Sequence, residues 1–368
     1  MRNRIAALLL LLLATQLGSL ISPAYACGCG AMVPDRESRI GVSRETSVVR
    51  WDGRTEEIVM RFTVDGNARR AAWIMPVPSR ASVELGDAAL FRELAHLTRP
   101  ERKARHYFLP RGGDWPFSAG AGDGAAAAPA AGGEASVGVV GREQLGDFDV
   151  ARLTATDPDA LRQWLEANGF TMPDTLATEV KPYVDQKWEY VAVRLAPQKQ
   201  GSVLYGTLDP LRIRFDSGRL VYPMRLSRMA KTPQSLGLYV LADHRMEPAS
   251  TIGGSAPKVT FAGKVPGTDS LAPLTGGRET FLTAIDQEFP EPGRISGDHE
   301  LRAAASDTPY RRTVYHDELL TVGGFPAWML AAGAVLAALG AGTFTWLRRR
   351  PAAAPHGSPA SARPGASA

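Results

Sequence analysis

Cysteine is almost absent from this 368-residue chain, which has only Cys27 and Cys29, separated by one glycine. So few cysteines exclude the disulfide framework that holds many small secreted domains together. The chain does not need one, because a region of about 300 residues can stabilise itself by burying an apolar core. A hydrophobic content of 44% is sufficient to form that core. The composition therefore predicts a packed globular region and not a disordered one.

The motifs of several enzyme classes are also absent. The sequence has no GxSxG nucleophile turn, no GxxxxGKS or GxxxxGKT phosphate loop and no HExxH metal motif. A serine hydrolase of the first type, a P-loop nucleotide-binding protein and an HExxH protease are therefore without support. We favour a non-enzymatic role and expect no cofactor.

Acidic residues are missing from both ends of the chain. All 38 acidic residues and 36 of the 42 basic residues lie between residues 27 and 325, so this region carries a net charge of −2 in a chain of net charge +4. The other six basic residues flank the apolar ends of the chain: Arg2, Arg4, Arg348, Arg349, Arg350 and Arg363. A nucleic-acid-binding protein needs a clustered basic face. We therefore expect no nucleic-acid partner.

One long apolar run lies near the C-terminus, at residues 326–347. It carries no charged side chain and is followed directly by three arginines. As a helix the run would be roughly 33 Å long, enough to cross a hydrocarbon layer of about 30 Å. Trp328 and Trp346 lie near its two ends, at the depth that indole rings prefer. The run predicts a transmembrane helix, with residues 348–368 as a cytoplasmic tail.

The N-terminus has the composition of a secretory signal peptide. Two basic residues precede an apolar run at 5–13, and Ala24 and Ala26 form a small-x-small cleavage site. We expect cleavage after Ala26, which removes residues 1–26. An uncleaved anchor is the less favoured alternative, because the apolar run is short for a span. Together the two segments predict a single-pass protein of the cell membrane, with the N-terminal domain outside and the tail inside.

Composition divides the region between these segments. Residues 27–110 and 137–290 contain the strong apolar patterns and are predicted to be two parts of the ectodomain. Residues 111–136 are rich in glycine and alanine and are predicted to be a flexible insertion. Residues 291–325 have fewer large apolar side chains and are predicted to connect the ectodomain to the membrane helix.

Local patterns predict an α+β fold with mainly antiparallel sheets and a few helices, followed by the transmembrane helix. The strands at 39–51, 57–64 and 71–77 are predicted to form a meander, with prolines placing the third at an edge or a strand end. Further predicted strands lie at 148–153, 188–195, 211–215, 219–224 and 236–241. Predicted helices lie at 87–97 (capped by Asp87), from Pro158 to Asn168, at 174–184 and at 280–289. Residues 216–218 are predicted to join the strands on either side of them into a hairpin.

Four ordered stretches of this sequence resemble a known family. They are CGCG at 27–30, WIMPVP at 73–78, LRQWL with NGF at 161–170, and VYPMRL at 221–226. The chain resembles the bacterial domain-of-unknown-function family 2330 over most of residues 27–290, and WIMPVP and VYPMRL are its more specific stretches. Cys29 departs from the family pattern, which more often has a glycine at this position. The resemblance implies an exported and often membrane-anchored protein, and it implies no reaction.

Cys27 and Cys29 are candidates for chemistry at the predicted start of the mature chain. A disulfide between them would close a small strained ring and would stabilise the fold little. Alternatively, Cys27 could carry a lipid, because it follows the cleavage site directly, although residues 24–26 lack the leucine usual in such a signal. As a third alternative, both thiolates bind a soft metal ion together with further ligands.

Few other side chains suggest a site. Trp115 and Phe117, beside the Gly/Ala-rich tract, are candidates for an exposed aromatic pair, and such pairs can anchor a partner. His299 and His316, each with acidic neighbours, are interpreted as parts of solvated charged segments, and His244 as part of a strand-end turn.

Topology and missing catalytic motifs together favour one hypothesis for function. In this hypothesis, the chain is a membrane-anchored, non-enzymatic module outside the cytoplasm that binds an envelope component or a partner protein. The first alternative is an envelope enzyme or thiol redox protein that uses Cys27 and Cys29. The second is assembly through self-association of the membrane helix.

Overall fold

The fold is described from a computed structural model of the chain. The structure describes residues 29–35, 38–112, 114, 144–145, 148–153, 158–196 and 202–349. By their contacts the described residues form two units: those within 1–101 and 134–313 form the first unit, and those within 102–133 and 314–368 form the second. The helices of the described residues are α1 (Ala88–Leu97), α2 (Pro158–Ala167), α3 (Asp174–Asp185), α4 (Ala272–Thr275) and α5 (Ala327–Arg349).

Most of the described chain is in strands. In chain order they are β1 (Ala31–Pro34), β2 (Ile40–Trp51), β3 (Thr55–Gly66), β4 (Ala71–Val77), β5 (Ser82–Leu85), β6 (Glu101–Tyr107), β7 (Gln144–Leu145), β8 (Phe148–Leu153), β9 (Glu189–Leu195), β10 (Gly206–Thr207), β11 (Leu211–Asp216), β12 (Val221–Tyr222), β13 (Gln234–Ala242), β14 (Met246–Pro248), β15 (Lys258–Val265), β16 (Thr280–Phe289), β17 (His299–Ala303), β18 (Tyr310–Arg311), β19 (Thr313–Leu319), β20 (Thr321–Val322) and β21 (Phe325–Pro326). Together with the helices they confirm the predicted α+β class.

Three sheets of the first unit contain most of these strands. The largest has the order β18-β15-β16-β13-β2-β3-β11-β5, with β10 also paired to β3. A five-stranded sheet has the order β1-β4-β9-β8-β7, and a three-stranded sheet the order β12-β17-β14. Among the described strand pairs, β13 and β2 are parallel, and the pairs around them are antiparallel.

The first unit is built in four layers. Side chains of the two larger sheets meet in one core. The outer face of the five-stranded sheet packs against α2 and α3, and that of the largest sheet packs against α1 and α4. Along β3, Met60 and Phe62 point into the core between the sheets, and Val59 points toward α1, because successive side chains alternate. Central strands are therefore buried on both faces.

Several local predictions are confirmed. β4 has the predicted bounds, and α1 begins directly after Asp87. The Asp87 carboxylate accepts a hydrogen bond from the Ala89 backbone N–H at 2.7 Å, as an N-cap residue does. α2 ends before Gly169, which adopts the left-handed conformation that glycine permits.

The prediction of a helix at residues 280–289 is wrong, because this segment is β16. β16 lies between β13 and β15 in the largest sheet and is buried on both faces. The apolar residues of this segment do not alternate with polar ones as in a half-buried strand. Phe281, Ile285 and Phe289 are four residues apart, so the pattern fits one face of a helix equally well.

The predicted pairing of neighbouring strands is wrong in two places. β2 and β3 do form an antiparallel pair, but β4 lies in the other large sheet, between β1 and β9. β1 pairs only with the first four residues of β4, so Pro76 lies where β4 has a neighbour on one side only, as its missing N–H requires. Residues 216–218 do not form a hairpin, because β11 pairs with β3 and β5, whereas β12 pairs with β17.

Each large sheet contains strands from both predicted parts of the ectodomain, since β4 pairs with β9 and β3 with β11. Within residues 291–325, the expected connector, β17 and β18 also pair with strands of the first unit. The first unit therefore includes described residues beyond 290, where the sequence has fewer large apolar side chains.

The second unit contains the helix of membrane length. α5 is long and apolar enough to cross a membrane. Its first residue is tied to the preceding chain, because the Ala327 backbone N–H donates to the Leu320 carbonyl at 2.8 Å. In the same unit, the Asp317 carboxylate accepts hydrogen bonds from Arg105 and Arg111 at 2.7 and 2.6 Å.

Candidate functional site

Three of the stretches that carry the family resemblance bring side chains to one buried place. Cys29 comes from the CGCG stretch, just before β1, Met75 from WIMPVP on β4, and Tyr222 from VYPMRL on β12. All three side chains have no solvent exposure. Because they come from distant parts of the chain, only the folded sheets can assemble this group.

Two thioether sulfurs surround the Cys29 thiol. The Cys29 Sγ lies 3.5 Å from Met60 Sδ and 4.0 Å from Met75 Sδ. Met60 and Met75 project from β3 and β4, which belong to different sheets, and both are fully buried. We call Cys29, Met60 and Met75 the sulfur cluster.

Oxygen atoms lie against the same thiol. The Glu45 carboxyl group accepts hydrogen bonds from the Tyr222 hydroxyl, from Ser47 Oγ at 3.3 Å, and from the backbone and thiol of Cys29. Ser47 Oγ and the Tyr222 hydroxyl are 2.6 Å apart. Burial raises the pKa of Glu45 and raises that of Tyr222 well above its ordinary value, because a charged oxygen would lose its hydration here. Both groups are therefore held in their neutral forms more strongly than in water.

Gly30, directly after Cys29, allows the chain to approach β4 closely. A Cβ atom at this position would lie 2.3 Å from the Ile74 carbonyl oxygen and 2.8 Å from Trp73 Nε1. Both distances are well inside van der Waals contact, and the carbonyl belongs to the backbone of β4, which cannot move aside without disturbing its pairs with β1 and β9.

We expect Gly30→Ala to lower the free energy of unfolding by about 1–3 kcal/mol, the usual cost of overpacking a core. Urea unfolding of the detergent-solubilised chain measures it. Gly293→Ala is the control, because a Cβ there meets no heavy atom within 4 Å. Equal stability of the two variants would contradict the close approach.

A second buried polar group lies on the neighbouring strands. His299, opposite Tyr222 in the β12–β17 pair, has its Nε2 2.7 Å from Gln287 Oε1. The Gln287 amide nitrogen donates to the carbonyls of Gly253 and Ser255 at 2.9 and 2.8 Å, which leaves Oε1 as the acceptor and makes His299 Nε2 the donor. Burial lowers the pKa of His299 to about 4, so the ring is neutral at neutral pH. The interpretation of His299 as solvated is therefore wrong.

An open cleft lies at the surface of the first unit. Its volume is about 400 Å³, within the range of small-ligand sites. The buried apolar floor is formed by Leu220, Ala242, Met246 and Leu301. Trp51 forms one wall, and its Nε1 donates to the Ser217 carbonyl at 3.3 Å, which fixes the indole ring.

Charged side chains surround the cleft and are held by partners. Arg219 Nη1 lies 2.7 Å from Glu300 Oε1, and Arg302 Nη2 lies 3.0 Å from Glu247 Oε1. His244 Nδ1 lies 2.9 Å from an oxygen of Asp307, which raises the pKa of His244. His244, interpreted from sequence as a strand-end turn, follows β13 and also lines this cleft.

The sequence-predicted site residues are only partly within the described structure. Cys27, Trp115 and Phe117 lie outside the described residues. Within those residues, no group of three or more His, Cys, Asp and Glu side chains is arranged to hold a metal ion.

Sequence reasoning identified Cys29 but not the side chains around it. Met75 and Tyr222 lie inside WIMPVP and VYPMRL. Their position in these family-specific stretches is the one feature of the sequence that could have pointed to them. Met60 and Glu45 carry no signal, because each looks like an ordinary residue of a strand.

These observations define the class of protein: a four-layered α+β domain with a buried sulfur and carboxyl group and an open cleft, in a chain that also has a helix of membrane length. Residues 23–302 match the model of a bacterial family described as "Uncharacterized protein conserved in bacteria (DUF2330)". Because the match covers well over half of the chain, the chain belongs to this family, and the resemblance seen in the sequence is confirmed.

Comparison with other proteins adds one weak similarity. The crystal structure of baculovirus P35 matches with 10% sequence identity and a TM-score of 0.32, over 73% of this chain and 98% of that one. No curated protein matches the chain.

Proposed function

We propose that this chain is a membrane-anchored binding module that displays its first unit outside the cytoplasm and binds an envelope component in the open cleft. The observation that carries this proposal is the cleft itself. Its floor is apolar and polar groups held by partners stand at its rim, which is the combination typical of ligand sites.

The rim indicates the kind of ligand that fits. The basic groups of Arg219, His244 and Arg302 stand near the acidic groups of Asp52 and Asp243. With both signs present, a ligand with an apolar body and a polar end fits better than a highly charged polymer. A short peptide segment or a small amphipathic molecule meets this description.

The anchor and its orientation rest on the ends of the chain. α5 has the length of a membrane span and has Arg348 and Arg349 in its last turn. Basic residues that follow a span favour the cytoplasmic side. With the predicted signal peptide at residues 1–26, this orientation displays the cleft to the cell envelope.

Photo-crosslinking tests the proposal in cells that express the full chain. The crosslinking residue p-benzoylphenylalanine replaces His244, whose side chain is 66% exposed and lines the cleft. In a second chain it replaces Lys258, which is exposed and does not line the cleft. We expect a discrete adduct from position 244 and none from position 258.

A blocking variant makes the test specific. Gly218 lines the cleft, and a Cβ there meets no heavy atom within 4 Å, so Gly218→Phe fills the cleft without a clash at the backbone. Gly297→Phe is the matched control, because its site is equally open and is not in the cleft. The adduct should disappear in the first variant and remain in the second. An adduct that survives Gly218→Phe, or no adduct at position 244, would contradict the proposal.

The alternative of a thiol redox protein at Cys27 and Cys29 is less well supported. The Cys29 side chain has no solvent exposure. Thiol–disulfide exchange with another protein requires in-line access to the sulfur atom, which this burial prevents unless the first unit opens locally.

A further inference from the structure

We propose that Cys29, Met60 and Met75, the sulfur cluster, bind one soft monovalent metal ion, Cu(I) or Ag(I). This inference goes beyond the proposed function and does not depend on the cleft. It extends the idea of a metal at Cys29 by naming the further ligands, which the sequence could not supply.

The distances between the sulfur atoms suit a shared ion. Cys29 Sγ lies 3.5 Å from Met60 Sδ and 4.0 Å from Met75 Sδ. With metal–sulfur bonds of about 2.3 Å, these separations correspond to angles of roughly 100° and 120° at the ion. Cys29 and either methionine can therefore share an ion with little movement of the two sulfur atoms.

The chemistry of the three ligands selects the ion. One thiolate and two neutral thioethers are soft donors, which favour Cu(I) over hard cations. The thiolate carries one negative charge, so a monovalent ion gives a neutral unit, which can be buried without an unpaired charge. A divalent ion would leave a net positive charge in a core that has no solvent access.

The fold holds the ligands in place before an ion arrives. Met60 lies on β3 of one large sheet and Met75 on β4 of the other, so sheet packing fixes both side chains. Cys29 precedes β1, a four-residue strand at the edge of the five-stranded sheet. Edge segments with few pairs open most readily, and opening of β1 gives an ion a route to the cluster.

Binding involves one proton. The Sγ–H bond of Cys29 breaks, an Sγ–metal bond forms, and the proton passes to the buffer, while the ion keeps its oxidation state. Met60 and Met75 each donate a sulfur lone pair and exchange no proton.

The test uses the full chain in detergent, reduced and kept free of oxygen. Cu(I) is titrated in competition with the chromophoric chelator bicinchoninate, and Ag(I) is used in parallel thermal unfolding experiments. We expect one Cu(I) per chain, X-ray absorption with three sulfur neighbours, and an unfolding midpoint that Ag(I) raises. Cys29→Ser should abolish all three effects.

Volume-conserving variants separate a three-sulfur site from binding by the thiol alone. Met60→Leu and Met75→Leu keep the core filled and remove one sulfur each, so each should weaken Cu(I) binding at least tenfold. Met229→Leu is the matched control, because Met229 is buried in the separate cluster under α2 and α3. It should bind as the unchanged chain does. Circular dichroism establishes that each variant is folded.

Cys27→Ser decides whether the second cysteine is required. The proposal predicts that this variant retains one Cu(I) with three sulfur neighbours. Loss of binding in Cys27→Ser with full binding in both Met→Leu variants would assign the ion to the two cysteines and overturn the proposal. Absence of stoichiometric binding by the reduced chain would also overturn it and would leave the Cys29 thiol as a packed core group.

Discussion

Trp73→Ala is expected to lower the free energy of unfolding by about 3–5 kcal/mol, the range for removing a large aromatic side chain from a core. Trp73 has no solvent exposure and lies in the core between the two large sheets. Its ring centroid is 5.4 Å from that of Phe62, across the interface of the sheets. Alanine would leave a cavity there, since the backbone of β4 is held by β1 and β9. Urea unfolding of the detergent-solubilised chain, followed by circular dichroism, measures the change.

Trp73→Phe is the matched control for this prediction. The indole Nε1 is buried and has no hydrogen-bond partner within the described part of the chain. Phenylalanine keeps most of the ring and removes this unsatisfied donor, so the two effects partly offset each other. We expect a loss below about 2 kcal/mol. If Trp73→Phe were as damaging as Trp73→Ala, packing of the ring would not be the main contribution of this residue.

Acidification from pH 7 to pH 4 is expected to remove about 3 kcal/mol of stability through His299 alone. Burial lowers the pKa of His299 from 6.5 to about 4 in the folded chain. Between these values the unfolded chain takes up a proton on this ring and the folded chain does not, so falling pH favours unfolding. The contribution is complete above the unfolded pKa and is lost progressively as the pH falls through this window.

The measurement compares the unchanged chain with His299→Gln at pH 7, 5.5 and 4. Glutamine does not titrate, so the difference in unfolding free energy between the two proteins should shrink by about 3 kcal/mol across this range. Glu45 and Glu56, whose pKa values burial raises, are present in both proteins and cancel in the difference. Parallel pH profiles would show that His299 does not titrate as its burial requires.

Local signals in the sequence predict where the helices and strands lie better than they predict which strands pair. The Asp87 cap, the glycine after α2 and the alternation in β3 act over a few residues, and the structure confirms each element they predict. Pairing depends on residues far apart in the chain. No local feature of β4 predicts that it joins a different sheet from β2 and β3, because its apolar side chains could be buried in either sheet. β16 shows the limit of periodicity, since burial on both faces removes the alternation that identifies a strand.

The candidate site is likewise predictable only where a single residue stands out in the sequence, and not where distant residues pack together. Cys29 was identified because cysteine is rare in the chain, and a rare residue can be noticed without knowledge of its neighbours. Met60 is a core residue by every sequence criterion, and only the packing of the two sheets brings it to the thiol. The cleft could not be predicted, because its floor combines residues from separate loops and strands, among them Leu220, Ala242 and Leu301.

The parallel pairing of β2 with β13 has a consequence for how the chain matures. Arg44 on β2 pairs with Ser235 on β13, so two neighbouring strands at the centre of the largest sheet come from distant parts of the sequence. In the export that we propose, β2 emerges well before β13 and lacks this partner until β13 has followed. Non-local pairings of this kind form slowly, and apolar strands that have not yet paired can aggregate with other chains. Export in the proposed orientation should therefore depend on chaperones that hold unfolded chains, or on fast translocation, more than on the stability of the finished domain.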